Sequence, residues 1–346
     1  LAHPPPNSKN LPRPQFAHEY VHGCTDAPAE FSACVPNPPH SPPLAYVKPS
    51  DHIATKLAAT APVSAAAHRR GVVLMLVSAA AFTANVLLIR ALGQVQSVNV
   101  WLITCTRFAV GLALIYALYR REFRPGNLFR HPKLATRGLL GGISVYGYYL
   151  TVVHLGAGRA TFINNTYVIF GALMAAWLLG ERFRPALAFG GVAALVGLAL
   201  LTNAFGSGAH ANLYDLLAVL VALTSAYIVI TIRQLHATEH TSTIFAAQCV
   251  YGLLICGLPA ALHPEPVSLT AWAVMLTAGV FAGIGQLAMT RSFRDLSVAE
   301  GSLLQMVVPL GIAAGGAVFF AEHFAVHELV GAALILAGTA FTALRR

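Results

Sequence analysis

Ten apolar stretches, each close to twenty residues, follow one another between residues 71 and 344, separated by short polar or basic connections. A helix rises 1.5 Å per residue, so about 20 residues cross the roughly 30 Å of hydrocarbon in a bilayer. The stretches fall at 71–91, 99–119, 137–155, 160–180, 185–202, 213–232, 243–262, 269–290, 301–320 and 326–344. Charged residues make up only 10% of the chain, against about 25% in an ordinary soluble domain, too few to coat a water-facing surface. The expected class is an all-α integral membrane protein with ten transmembrane helices.

The chain also repeats itself. "LLGERFRPALAFGGVAALVG", Leu178 to Gly197, returns 141 positions later as "FFAEHFAVHELVGAALILAG", Phe319 to Gly338, keeping Glu181 as Glu322, Gly190 as Gly331 and Gly197 as Gly338. The same offset sets Gly111 on Gly252 and Gly142 on Gly283, and two further residues set Ile89-Arg90 on Ile232-Arg233. Two repeats of five helices are expected, at 71–202 and 213–345. A net charge of +9 could indicate a nucleic-acid partner, but the placement of the bases favours membrane topology. Alternate segments hold Arg69, Arg70, Arg120, Arg121, Arg124, Arg130, Lys133, Arg137, Arg182, Arg184, Arg233, Arg291, Arg294, Arg345 and Arg346, while the others hold only Arg90 and Arg159. The excess of positive charge inside puts both termini in the cytoplasm, and five helices per unit then invert the second repeat.

Residues 1–68 differ in kind, with 13 of the 20 prolines and no sustained periodicity; this composition predicts a disordered tail. It lacks the apolar core of a secretory signal. The chain starts with Leu and reaches its first Met at Met75, which leaves a fragment or a non-standard start open. His18, His22, Cys24, Cys34 and His40 lack the paired spacing of zinc ligands, so no metal or cofactor is expected. Cys105, Cys249 and Cys256 lie in apolar stretches and read as small packing residues.

The glutamate ending the fourth segment of each unit ("LLGER", "FFAEH"), the "FGGVAALVG" and "LVGAALILAG" that follow, and Arg107 in "ITCTRFAVG" resemble the drug/metabolite transporter superfamily, specifically its EamA-like group. The resemblance covers residues 71–346. It implies a carrier for small metabolites, working by exchange or efflux in the bacterial inner membrane. Two departures make any pseudo-symmetric site chemically unequal: Gln248 stands where the second unit would carry an arginine, and Pro309 stands opposite Val168.

Thr161, Asn164 and Asn165 fall on one helical face, and the repeat places Ser302, Gln305 and Pro309 on the matching face of the ninth segment. These are the leading substrate-binding candidates, since amides donate and accept without charge; interhelical packing bonds are the alternative. Pro309 frees a carbonyl in the same stretch. Arg107, near mid-membrane, is either an anion contact or a hub for carbonyls and hydroxyls. Tyr146, Tyr149, Asn85 and Gln286 are second-rank candidates. Glu181 and Glu322, at helix ends, suggest gating or capping. Asp215 reads as a vestibule or loop acid, and coupling through His154 stays open.

The function expected is a carrier exchanging or exporting a small polar metabolite or drug-like compound by alternating access. Its partners are the substrate and the lipid bilayer, with a homodimer compatible. The alternative is a membrane-embedded enzyme with no recognisable catalytic motif: His323 and His327 are spaced like metalloprotease ligands, but Phe324 occupies the glutamate position.

Overall fold

The computed structural model describes residues 64–155, 157–181, 185–204, 212–321 and 323–344. The expected tail, residues 1–68, lies outside them except for its last five positions, and Glu322 lies outside them too. Among the described residues every regular element is a helix. The first half contains α1 (Ala65–Val95), α2 (Val100–Tyr119), a single turn α3 (Asn127–Arg130), α4 (Pro132–Leu155), α5 (Ala157–Asn165), α6 (Tyr167–Leu179) and α7 (Pro185–Leu201). The second contains α8 (Leu213–Leu235), α9 (Thr241–Leu262), α10 (Leu269–Ser292), α11 (Val298–Leu304), α12 (Val307–Phe320) and α13 (Val326–Leu344).

Among the described residues, seven helical stretches, counting α5 with α6 and α11 with α12 as one each, are long and apolar enough to cross a membrane, and α7 and α13 are shorter apolar helices. Their outward faces leave Trp177, Phe189, Leu258, Leu269 and Phe319 exposed. So much uncovered apolar surface suits lipid and not water. α1 starts six residues earlier than the apolar pattern predicts, because the Ser64 hydroxyl accepts the Ala67 N–H at 3.2 Å and caps the helix there.

The fourth and ninth segments, expected to be continuous, are each interrupted. Pro309 has no N–H to give the Gln305 carbonyl, which instead accepts from Val308 N at 3.0 Å, and the chain turns at Gln305 and Met306. The first half lacks that proline and reaches the same result through side chains. Asn165 Nδ2 bonds back to the Thr161 carbonyl at 2.8 Å, and Thr166 Oγ1 to the Ile163 carbonyl at 2.6 Å. Such back-bonding competes with the helical ladder, and the turn falls at Thr166.

Helix pairing is closed under exchange of the halves. α1 packs on α10 and α12, as α8 packs on α4 and α6; α2 packs on α9, and α7 on α13. The α7–α13 contact is made by glycines. A Cβ on Gly190 would lie 2.6 Å from the Gly338 carbonyl oxygen, and one on Gly197 would lie 2.5 Å from that of Gly331. In sequence Gly190 corresponds to Gly331 and Gly197 to Gly338, so the crossed pairing means that these equivalent helices run antiparallel.

Candidate functional site

The two interruptions face each other across a cavity of about 260 Å³. α5 and the break after it bring Thr161, Asn164 and Asn165 to one wall; the break before α12 brings Gln305, Val308 and Pro309 to the other. Asn85 on α1, Arg107 on α2, and Ser144, Tyr148 and Tyr149 on α4 complete the polar part, with Ser225 on α8, and Phe82 on α1 adds an aromatic face. The cavity continues into a second space of about 330 Å³, sharing Asn85, Tyr148, Tyr149, Thr161 and Pro309 and otherwise mostly apolar, with Ile89, Val152, Leu201 and Phe324 in its wall. Those residues lie near the ends of α1, α4 and α7 and just before α13, so the cavity runs toward one end of the bundle.

The opposite end is bridged. Arg233, at the end of α8, pairs with Glu181 just past α6 at 2.8 Å. Glu181 also accepts the Val298 N–H, and Arg233 donates to the carbonyls of Phe293 and Leu296. Burial pushes the Glu181 carboxyl above its ordinary value, and the Arg233 charge works against that rise. At the start of α1, Arg70 reaches Asp295 at 2.8 Å and His68 reaches Glu300 at 2.6 Å. At the cavity's end, Arg159 pairs with Asp215, which also closes a capping box with Asn212. His154 stacks on Tyr214 there.

Inside the cavity, Tyr148 Oη lies 2.8 Å from Thr161 Oγ1, and Arg107 Nη1 donates to Tyr149 Oη at 3.4 Å. Gln305 lines the wall while its amide donates to Ser78 Oγ at 2.9 Å. Asn85 donates to the Ala278 carbonyl at 2.8 Å, tying α1 to α10. Asn164 Oδ1 is buried with no hydrogen-bond donor among the described residues. None of the described lining residues is acidic.

Of the predicted site residues, Asn85, Arg107, Tyr149, Thr161, Asn164, Asn165, Gln305 and Pro309 come together here. Three do not. Ser302 and Gln286 are buried away from the lining, and Tyr146 stacks on Trp101 with ring centres 3.7 Å apart. Tyr148 lines the cavity instead, one helical turn from Ser144. Ser144 and Ser225, whose hydroxyls are 3.1 Å apart, were not singled out from the sequence. Nor was the burial of Arg137, which is 1% exposed and donates Nη2 to Gln248 at 2.9 Å.

A model of the EamA-like transporter family matches residues 69–203 and again residues 212–344. The pseudopaline exporter CntI of Pseudomonas aeruginosa strain UCBPP-PA14 is 26% identical over 231 residues, covering 66% of this chain and 81% of the relative. Its counterpart in P. aeruginosa PAO1 matches with the same identity and coverage. Protein LicB of Haemophilus influenzae Rd is 26% identical over 170 residues, 48% of this chain and 54% of that protein. A solved crystal structure superposes with a TM-score of 0.65 at 20% identity, covering 79% of this chain and 96% of the other, a likeness of fold.

Proposed function

The chain belongs to the EamA-like transporter family, and we propose that it carries a small polar metabolite out across the bacterial inner membrane by alternating access. Ten spanning helices form two inverted repeats, 71–202 and 213–345, with both termini in the cytoplasm. The observation that carries this reading is the cavity between the two interrupted helices, reaching toward one end of the bundle and closed off at the other by the Glu181–Arg233 junction. Broken helices meeting at a repeat interface are where inverted-repeat carriers place substrate. Antiparallel pairing of α7 and α13 supports the inversion, and the two relatives named as exporters support outward traffic.

With the basic connections inside, the bridged end is cytoplasmic and the cavity faces outward. Opening requires the Glu181–Arg233, Arg70–Asp295 and His68–Glu300 contacts to separate while the outer end closes. The test is flux of labelled metabolites in proteoliposomes, with and without a pH gradient. Saturable flux abolished by Asn164→Ala supports a carrier using this cavity; saturable flux untouched by Asn164→Ala and Thr161→Ala moves the site elsewhere.

A further inference from the structure

The connection between α2 and α4 runs from Arg120 to His131, and it is folded rather than loose. Phe123 N bonds to the Tyr119 carbonyl at 2.9 Å, Leu128 N to that of Pro125 at 3.2 Å, and His131 N to that of Asn127 at 3.0 Å. Leu128 is buried in the main core at 2% exposure. Its carbonyl accepts from Tyr251 Oη at 3.2 Å, and Asn127 Nδ2 donates to Glu239 at 2.9 Å. These contacts fix the segment against α9 and the α8–α9 connection, as a shelf at the bridged end of the bundle. What the shelf turns outward is basic. Arg120, Arg121, Arg124, Arg130 and, in the first turn of α4, Lys133 are all exposed, beside a single exposed acid, Glu122. None of the five cations pairs with a carboxylate among the described residues.

The setting of these charges is apolar. Tyr116 and Leu118, in the last turn of α2, are 64% and 63% exposed, and Phe129 on the shelf itself is 66% exposed beside Arg130. At 1.5 Å per residue, Leu118 and Arg121 differ in height by about 4.5 Å, so an outward apolar surface passes within one turn into a basic one. The corresponding connection in the second half, His263 to Ser268 between α9 and α10, is shorter and carries Glu265 with no arginine or lysine. Joining these two helices therefore does not require the bases. A cluster of roughly four to eight Lys and Arg flanking a membrane-spanning helix attracts anionic headgroups. We propose that the shelf is a binding site for anionic phospholipid, separate from the cavity. Lipid phosphates pair with the five cations, and the acyl chains lie against Tyr116, Leu118 and Phe129. Through the Asn127–Glu239 contact the occupied shelf braces the α8–α9 connection, which leads directly from Arg233.

The test uses the full chain in nanodiscs of mixed phosphatidylglycerol and phosphatidylcholine, with the lipids retained by the released protein counted by native mass spectrometry. The expected result is enrichment of phosphatidylglycerol over phosphatidylcholine, fading as ionic strength rises. Arg121→Gln, Arg124→Gln and Arg130→Gln each weaken the enrichment roughly fivefold, as loss of one base near an anionic surface implies. The control is Arg69→Gln, which removes an exposed arginine at the same end but outside the shelf and is expected to leave the enrichment intact. All four positions are exposed, and melting in phosphatidylcholine alone checks that the variants fold. Equal retention of the two lipids by the unaltered protein overturns the site. A loss with Arg69→Gln as large as that of the shelf variants overturns it too, reducing the effect to net charge. Polyphosphate that binds the shelf in detergent as tightly as phosphatidylglycerol reassigns it to a soluble anionic partner. Flux does not enter the readout, so the site stands or falls apart from the carrier reading.

Discussion

Arg233 Nε lies 2.8 Å from Glu181 Oε1, joining the end of α8 to the residue just past α6. Both side chains are largely dry, at 14% and 12% exposure, so the pair is worth more than a surface contact but must offset its own desolvation. The same two residues hold the α10–α11 connection through Val298 N and the carbonyls of Phe293 and Leu296. Glu181→Gln keeps an acceptor for Val298 and removes the charge. The expected result is local opening favoured by about 1–2 kcal/mol, five- to thirtyfold in population. Hydrogen exchange over residues 293–298 reads this directly; unchanged protection in the variant would show that the pair does not hold the end shut.

The glycine contacts between α7 and α13 predict an asymmetric tolerance along one helix. A side chain at Gly197 or Gly331 runs into the opposite backbone, whereas a Cβ at Gly191 meets nothing within 4 Å. Gly197→Leu and Gly331→Leu are each expected to cost about 2–3 kcal/mol through overpacking. Gly191→Ala is expected to be neutral or to gain up to about 1 kcal/mol from helix propensity. Thermal unfolding in detergent separates them, and a Gly331→Leu protein as stable as the native one contradicts the close approach.

His236, the residue after α8, sets a pH dependence. Burial lowers its pKa from 6.5 to about 4, only partly opposed by its contact with the Thr290 carbonyl. The neutral ring donates Nε2–H to that carbonyl at 2.6 Å. The unfolded chain takes up a proton as pH falls below about 6.5, while the folded chain refuses it until about 4. Stability is therefore complete above that window and declines as pH falls through it, by at most about 1.4 kcal/mol per pH unit. A His236→Gln protein should lose melting temperature less steeply between pH 6.5 and 4. Parallel slopes would assign the acid sensitivity to other groups.

Length and hydropathy made the helical rods legible, because a bilayer demands both. The phase of each rod was another matter. Lipid and helix–helix contacts are both apolar, so no hydrophobic stripe tells which face of α4 turns inward, and Tyr146 and Tyr148 exchange roles for that reason. The break at Gln305 had a visible cause in Pro309. The one at Thr166 depends on Asn165 and Thr166 bonding to carbonyls of their own helix, which composition does not reveal. Ser144 and Ser225, bridging α4 and α8, correspond through the repeat offsets to Gly285 and Phe82, where Phe82 packs on Gly285 between α10 and α1. One crossing carries two hydroxyls in the first half and an aromatic ring in the second.

Pro309 is a second inequality between the halves. In the first half Val168 occupies the equivalent place and is buried, and its helix still turns two residues earlier through side-chain bonds. Pro309→Val gives the Gln305 carbonyl back its helical donor, and with Gln305 already held by Ser78 no side chain among the described residues of the second half bonds back to its own helix at that turn. The rod is expected to straighten, gaining up to about 1 kcal/mol as one more backbone bond forms. It also moves Gln305 and Ile312 relative to Asn164, so flux should fall several-fold even though the protein melts no lower. A variant more stable and less active would assign the break to transport. One that loses stability and keeps its flux would mean that Pro309 serves packing against α1, and that the first half alone shapes the cavity.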